Sequence, residues 1–192
     1  VTVNTTTSQC SGTATLVLPT VSDNCASTFG NALNFDGQND KVTAANTGLP
    51  IGNSSRTIEF WIKHNSSSSF FSAVAYGEGT GSNMQCSASL YFSNGAMRPQ
   101  LWAANNDVLS TTLSVPTNTW THVAYVYNGS TLTFYVNGIA DPKSYGPLNT
   151  VNNLPLTIGS YVTNPNIPFS LDEVRIWNTA RSQSEIQSNM NV

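Results

Sequence analysis

The chain has 192 residues, only 9% of which are charged, and its net charge at pH 7 is −3. Seven Lys and Arg residues are too few to form a basic patch for phosphates, so nucleic acid is excluded as a partner. No apolar run approaches the length of a membrane span, and the first residues lack the pattern of a signal peptide, so membrane insertion is not expected.

The first thirty residues differ in composition from the rest of the chain. Residues 2–10 are polar, and residues 13–18 alternate as a strand would. Because the chain starts at Val1 rather than Met, we expect a processed product or part of a longer multidomain protein. The total length suits one β-sandwich, alone or with an appendage.

Alternation of apolar and polar residues predicts many short strands after residue 30. Residues 58–63 give one purely apolar face and one mixed face, and residues 122–127 alternate in the same way. Asn128-Gly129 predicts a two-residue hairpin turn into a strand at 132–136, and Asn137-Gly138 ends that strand with the same turn signal. Further predicted strands are 31–35, 40–45, 70–76, 86–93, 97–103, 107–113, 154–159 and 168–177. This pattern predicts an all-β protein with two stacked sheets.

The last predicted strand, 168–177, contains an interruption. The adjacent carboxylates Asp172 and Glu173 break an otherwise ordinary β pattern. Ser182 and Glu185 then have capping-box spacing, which predicts a short helix that begins at Ser182 and carries Ile186 and Met190 on one face.

Four segments of the chain resemble laminin-G-like domains, which are concanavalin A-like jelly rolls. They are 31–42 with its Phe-Asp-Gly, 57–63 (Thr-Ile-Glu-Phe-Trp-Ile-Lys), 119–138 with its Tyr-Val-Asn-Gly, and 169–186 with its Asp-Glu-Val-Arg-Ile-Trp-Asn. The resemblance implies a two-sheet antiparallel jelly-roll β-sandwich over residues 30–192, with one short C-terminal helix.

A second, shorter resemblance concerns residues 1–29. Pro19 to Cys25 is similar to the end of a hyalin-type repeat, an extracellular immunoglobulin-like module. Residues 1–29 are therefore either the tail of a separate domain or a terminal strand that packs onto the sandwich.

The three cysteines cannot all pair within one chain. Cys10 and Cys25 flank the strand predicted at 13–18, inside the segment that resembles an exported repeat, so we expect a disulfide between them. Cys86 is expected to stay reduced and to pack as a small apolar residue.

The sequence argues against an enzyme. Polysaccharide-cleaving enzymes of this fold resemble one another in a strand with alternating Glu, Asp and Glu, because cleavage needs two carboxylates with different roles. The corresponding strand here has Glu59 alone, followed by Trp61 and Lys63 at the next alternate positions. Of the two histidines, His122 is expected to be packed and hydrogen-bonded, and His64 to belong to the polar loop after it.

A cluster of oxygen ligands predicts a metal ion instead. Residues 36–40 hold two carboxylates, an amide and a glycine, which suits Ca²⁺. In the laminin-G-like resemblance, the first and last strands are commonly neighbours, and an aspartate matching Asp172 joins this loop around a structural calcium. The expected calcium set is Asp36, Gly37, Asp40 and Asp172. The alternative is an ordinary turn, with Asp172 paired to Arg175 or Lys41.

For ligand binding, the best constellation is one aromatic ring beside amides and a carboxylate. A flat aromatic face stacks on a sugar ring, while polar groups bond its hydroxyls. The predicted ligand-binding residues are Trp102, Asn105, Asn106 and Asp107. Burial of Trp102 at the end of a strand is the alternative.

Two functional classes compete, and a spacer that binds no ligand is a third behind them. The first is a noncatalytic binding or adhesion module of a larger bacterial surface protein, secreted or at the cell surface, whose partner is a glycan or a surface protein. The second is a carbohydrate-binding module attached to a secreted polysaccharide-degrading enzyme.

Overall fold

A computed structural model describes residues 31–65, 70–77, 86–91, 96–99, 112–144, 147–159 and 168–191. The strand predicted at 13–18, the disulfide between Cys10 and Cys25, and the whole segment 1–29 lie outside these ranges, so they stay predictions. In the described part of the chain, no helix has the length and hydrophobicity needed to cross a membrane.

The described residues form eleven strands and one helix. The strands are β1 (Leu33–Phe35), β2 (Val42–Ala44), β3 (Arg56–His64), β4 (Phe70–Gly77), β5 (Cys86–Tyr91), β6 (Ala96–Pro99), β7 (Thr121–Tyr127), β8 (Thr131–Val136), β9 (Ile139–Ser144), β10 (Leu154–Ile158) and β11 (Phe169–Trp177). The helix is α1 (Gln183–Asn189).

The strands make two antiparallel sheets, one of six strands in the order β1-β11-β3-β7-β8-β9 and one of five in the order β2-β10-β4-β5-β6. The first and last strands, β1 and β11, are neighbours. The predicted all-β, two-sheet jelly-roll sandwich with one short C-terminal helix is confirmed. The strand β9 was not predicted, because Pro142 and the charged residues around it do not alternate with apolar ones.

The core lies between the two sheets. Alternate residues of β3, β7 and β8 point into it, and each of these side chains is at most 6% exposed. They are Ile58, Phe60, Ile62, Val123, Tyr125, Tyr127, Leu132, Phe134 and Val136. Because the core uses every second residue of these strands, the remaining residues of the six-stranded sheet lie on its outer face.

The helix α1 covers that outer face. Ser182 caps it, and a capping box with Glu185 is present as predicted. Ile186 is 0% exposed and packs with Ala124, Val126 and Tyr135. Both Trp61 and Arg175 donate hydrogen bonds to carbonyls at the C-terminal end of the helix, which satisfies acceptors that have no partner within it.

A β-bulge in β11 explains the interruption in its sequence. The register between β11 and β3 shifts between Asp172 and Arg175, and Glu173 has a left-handed backbone with φ of 51°. Asp172 Oδ1 accepts the N–H of Glu173 at 2.9 Å and holds this conformation. The extra residue changes the phase of the strand, so that Val174 rather than Glu173 packs against the core.

One of the two predicted hairpin turns is correct. Asn137 and Gly138 both have positive φ and join β8 to β9 directly, since Val136 pairs with Ile139. The hairpin predicted after Asn128-Gly129 also forms, since β7 pairs with β8, but its turn lies one residue later. The N–H of Asn128 donates to the carbonyl of Thr131, and Asn128 Oδ1 accepts the N–H groups of both Ser130 and Thr131, so Gly129 and Ser130 make the turn.

Candidate binding pocket

A pocket of about 400 Å³ opens where β1 ends, β11 begins and β3 ends. We refer to it as the strand-end pocket. The residues that line it are Asn34, Phe35, Asp36, Asp40, Lys63, His64, Asn65, Asn118, Pro168, Phe169 and Ser170.

Strand register explains why these residues meet. In one row across the sheet, Ser170 pairs with both Asn34 and Lys63. In the next row, Phe169 pairs with Phe35 and with His64, and one position further the three strands have ended. The pocket therefore has polar side chains from these three strand ends and from the turn at Asn118 around an aromatic base.

The base of the pocket is closely packed. The rings of Phe35 and Phe169 stack with centroids 4.9 Å apart, and Phe169 stacks on Phe71 at 4.4 Å. His64 is 1% exposed, and its Nε2 lies 3.2 Å from the carbonyl of Val115. Its predicted place in the polar loop is wrong, because residue 64 is the last inward-facing position of β3.

One wall is the carboxylate loop that follows β1. Asp40 Oδ2 accepts the N–H of Asp36, and Asp36 Oδ1 accepts the N–H of Gln38, both at 2.8 Å. Gly37 has a φ of 83°, which is a conformation that favours glycine. Each carboxylate therefore uses one oxygen to shape the loop, and both side chains remain exposed.

The opposite wall comes from the turn before β7. The backbone N–H of Asn118 donates to the carbonyl of His64 at 2.6 Å, and Asn118 has a φ of 56°. This bond fixes the turn against the end of β3. Asn65 and Asn118 are both exposed beside the opening.

The pocket is rich in groups that bond hydroxyls. It contains three amides, a hydroxyl, two carboxylates and one ammonium. Ser170 Oγ donates to Asn34 Oδ1 at 2.5 Å, which orients the amide of Asn34. The arrangement can hold a small polar molecule through many hydrogen bonds, and its size lies in the range of ligand pockets.

The structure does not bring the whole predicted calcium set together. Asp36, Gly37 and Asp40 share one loop, but register places Asp172 opposite residue 32, four positions from Asp36 and roughly 13 Å along the strand. Among the described residues, no group of three or more His, Cys, Asp or Glu side chains is placed to hold a metal ion. Calcium binding stays a prediction, and the four residues do not fit it as one site in this conformation.

The alternative that Asp172 pairs with Arg175 is not what the structure shows. Arg175 forms its ion pair with Glu173, and Asp172 instead accepts the backbone N–H of the next residue. The carboxylate of Asp172 thus has a structural role without a metal, because it stabilises the β-bulge.

The predicted ligand-binding residues Trp102, Asn105, Asn106 and Asp107 lie outside the described residues, so that constellation stays a prediction. Cys86 begins β5.

A second polar cluster lies beneath α1 on the outer face. Glu59 is 0% exposed, and its Oε1 accepts a 2.7 Å hydrogen bond from Trp177 Nε1. Its Oε2 lies 3.7 Å from His122 Nε2 and has no hydrogen-bond partner. Arg181 stacks on the ring of Trp177 at 4.2 Å and closes the cluster from outside.

Burial controls the protonation of His122. Loss of solvent, together with the positive charge of Arg175, lowers the pKa of His122 to about 4. His122 is packed, as predicted, but the predicted hydrogen bonding is incomplete, because its Nδ1 has no partner. At neutral pH the ring is uncharged.

Sequence reasoning identified only part of the strand-end pocket. The carboxylate loop and the pairing of the first and last strands were expected, whereas Asn65, Asn118 and Ser170 were not singled out. These residues could have been found from the polar positions at the ends of the predicted strands. Strands that pair side by side bring such residues together at one edge of the sheet.

Comparison with known proteins gives a family and a set of similar folds. The family described as the concanavalin A-like lectin/glucanases superfamily matches residues 36–187. A search of curated proteins gives no match.

Among solved structures, the binding domain of Paraclostridial Mosquitocidal Protein 1 is similar, with a TM-score of 0.64 and 20% identity over 82% of this chain and 42% of that one. The binding domain of botulinum neurotoxin serotype D gives a TM-score of 0.61 and 17% identity over 82% and 41%. The serotype D ligand-binding domain in complex with N-acetylneuraminic acid gives 0.62 and 18% over 82% and 41%. The chain spans less than half the length of each of these structures, and at these identities the likeness concerns the fold.

Proposed function

The chain belongs to the concanavalin A-like lectin/glucanase superfamily, and within it we propose a noncatalytic binding module that holds a hydroxyl-rich ligand, a glycan or a glycosylated surface protein, in the strand-end pocket. The observation that carries this proposal is the pocket itself. Amides, carboxylates and a hydroxyl surround a closely packed aromatic base there.

The burial of Glu59 supports a noncatalytic role. A glycosidase needs a carboxylate that reaches the scissile bond. Glu59 is 0% exposed beneath α1, and one of its oxygens is already bonded to Trp177. A substrate on the outer face would meet the helix before it met this carboxylate.

The similar solved structures support binding as the general role, because they are binding domains of toxins by name. We further propose that the module acts outside the cell, as part of a longer surface or secreted protein. The sparsely charged, hydroxyl-rich composition supports that environment.

A glycan array tests this proposal, with the parent protein compared with two single variants. Asn65→Ala removes an exposed amide of the pocket, whereas Asn178→Ala removes an exposed amide after the far end of β11. The loss of one hydrogen-bonding group should weaken glycan binding by roughly fivefold in Asn65→Ala. Asn178→Ala should bind like the parent.

Two results would contradict the proposal. One is an array on which the parent protein binds no glycan and no glycosylated protein. The other is cleavage of a bound polysaccharide that disappears in Glu59→Gln, because this would make the covered carboxylate catalytic.

A further inference from the structure

We propose that the strand-end pocket selects its ligand by charge: it prefers sugars with a free amino group to neutral sugars, and it rejects sugars that carry a carboxylate. This inference rests on the proposed function and specifies the ligand class of the same site.

The charge of the pocket carries the argument. Asp36 and Asp40 contribute two negative charges and Lys63 contributes one positive charge, so the lining has a net charge of −1. No ion pair joins Lys63 to either carboxylate among the described residues, whose ion pairs involve other side chains. The two carboxylates therefore keep their charge available to a ligand.

Each carboxylate also has a second oxygen that is not used by the loop. Asp36 bonds the loop through Oδ1 and Asp40 through Oδ2, so each keeps a second oxygen for a ligand. A carboxylate oxygen accepts a charge-assisted hydrogen bond from a sugar hydroxyl and a stronger one from an ammonium. It cannot donate to the carboxylate of an acidic sugar.

The remaining polar groups do not reverse this preference. Asn34, Asn65 and Asn118 are neutral and bond hydroxyls equally well in all three ligand classes. His64 faces the core at the base, with its ring against the carbonyl of Val115. The pocket therefore discriminates between ligands only through the charges of Asp36, Asp40 and Lys63, in which the two carboxylates outweigh the one ammonium.

Calorimetry with three soluble ligands tests the inference: a glucosamine oligomer, the matching N-acetylglucosamine oligomer, and an oligosaccharide ending in N-acetylneuraminic acid. At low ionic strength we expect the amino form to bind at least roughly fivefold more tightly than the neutral form, as one charge contact near a surface would give. The acidic oligosaccharide should bind most weakly, and 0.5 M salt should shrink both differences.

Matched variants separate the pocket from the charge of the whole protein. Asp36→Asn and Asp40→Asn keep an oxygen that can accept the loop hydrogen bonds while removing the charge. Each should abolish the preference for the amino form. Asp172→Asn changes the net charge equally, but it lies four register positions from Asp36 and should leave the preference unchanged.

Equal or tighter binding of the acidic oligosaccharide would overturn the charge selection and leave the proposed function standing. So would an equal effect of Asp172→Asn, because the preference would then follow the net charge. Binding of none of the three ligands would also overturn the inference, and a blank glycan array in addition would remove the proposed function.

Discussion

Trp177 Nε1 donates a 2.7 Å hydrogen bond to Glu59 Oε1 across 118 residues of chain. The bond joins β11 to β3 on the covered outer face and is the only hydrogen bond to this carboxylate among the described residues. Because His122 lies 3.7 Å from the other oxygen, Glu59 is held by one strong contact and one longer one. The effect of a substitution at Glu59 on stability should therefore depend on whether the new side chain can still accept the hydrogen bond of Trp177.

Glu59→Ala should destabilise the fold by about 1–2 kcal/mol, because it leaves the half-buried indole N–H of Trp177 without an acceptor. Glu59→Gln retains an acceptor of nearly the same size, so its free energy of unfolding should stay closer to that of the parent. Urea denaturation of the two variants measures the difference. Equal losses in both would show that the hydrogen bond does not set the cost.

Acid should destabilise the protein through His122. Its pKa in the folded state is about 4, against 6.5 for the free side chain. As the pH falls from about 6.5 to about 4, His122 binds a proton in the unfolded chain but not in the folded one. Up to about 3 kcal/mol of stability is therefore lost over this range.

Denaturation at pH 7 and pH 4.5 measures this loss, with His122→Gln as the comparison. The variant should lose less stability between the two pH values than the parent, and the proton signals of His122 should titrate near pH 4 in nuclear magnetic resonance. The same pH dependence in both proteins, or titration near pH 6.5, would contradict the prediction.

The left-handed backbone of Glu173 predicts a specific order of substitutions. Val at a φ of 51° places a branched side chain against its own backbone, so Glu173→Val should cost about 1–2 kcal/mol. Glu173→Asn should cost less, because Asn adopts this conformation readily. Both variants lose the ion pair with Arg175, so thermal unfolding of one against the other isolates the backbone contribution. A Val variant as stable as the Asn variant would argue against the bulge.

The helix α1 should depend on Ile186, its one fully buried residue. Ile186→Ala removes methyl groups that pack on Ala124, Val126 and Tyr135, and should cost about 2–4 kcal/mol. Ile186→Val should cost about 1 kcal/mol. Limited proteolysis would report release of the helix, and unchanged resistance in Ile186→Ala would show that other contacts hold it.

Calcium binding remains testable, and the geometry changes which residue decides it. Calcium bound by the loop of Asp36 and Asp40 should raise the free energy of unfolding by about 2.7 kcal/mol at a hundredfold excess over the dissociation constant. It would also cancel the charge of these carboxylates, so the preference for amino sugars is measured in the presence of a chelator. Asp36→Asn should remove this response, and Asp172→Asn should keep it. No effect of calcium or chelator on the parent would make the calcium prediction wrong.

Local sequence patterns determined most of the architecture. Alternation located β3, β7 and β11, the Asn137-Gly138 pair located one hairpin, and Ser182 with Glu185 located the start of α1. Each of these features depends on residues within a few positions of one another, and such short-range preferences are present in any isolated segment. The family resemblance added the pairing of β1 with β11.

Tertiary structure decided the rest, because contacts between distant segments determine burial and proximity. Glu59 is covered only because α1 folds back over β3, and the phase of β11 changes at Glu173 only because Val174 must face the shared core. The strand-end pocket likewise exists because three strands end in register. A pattern along one strand shows which residues share a face, but not which other strand ends beside them or what covers that face.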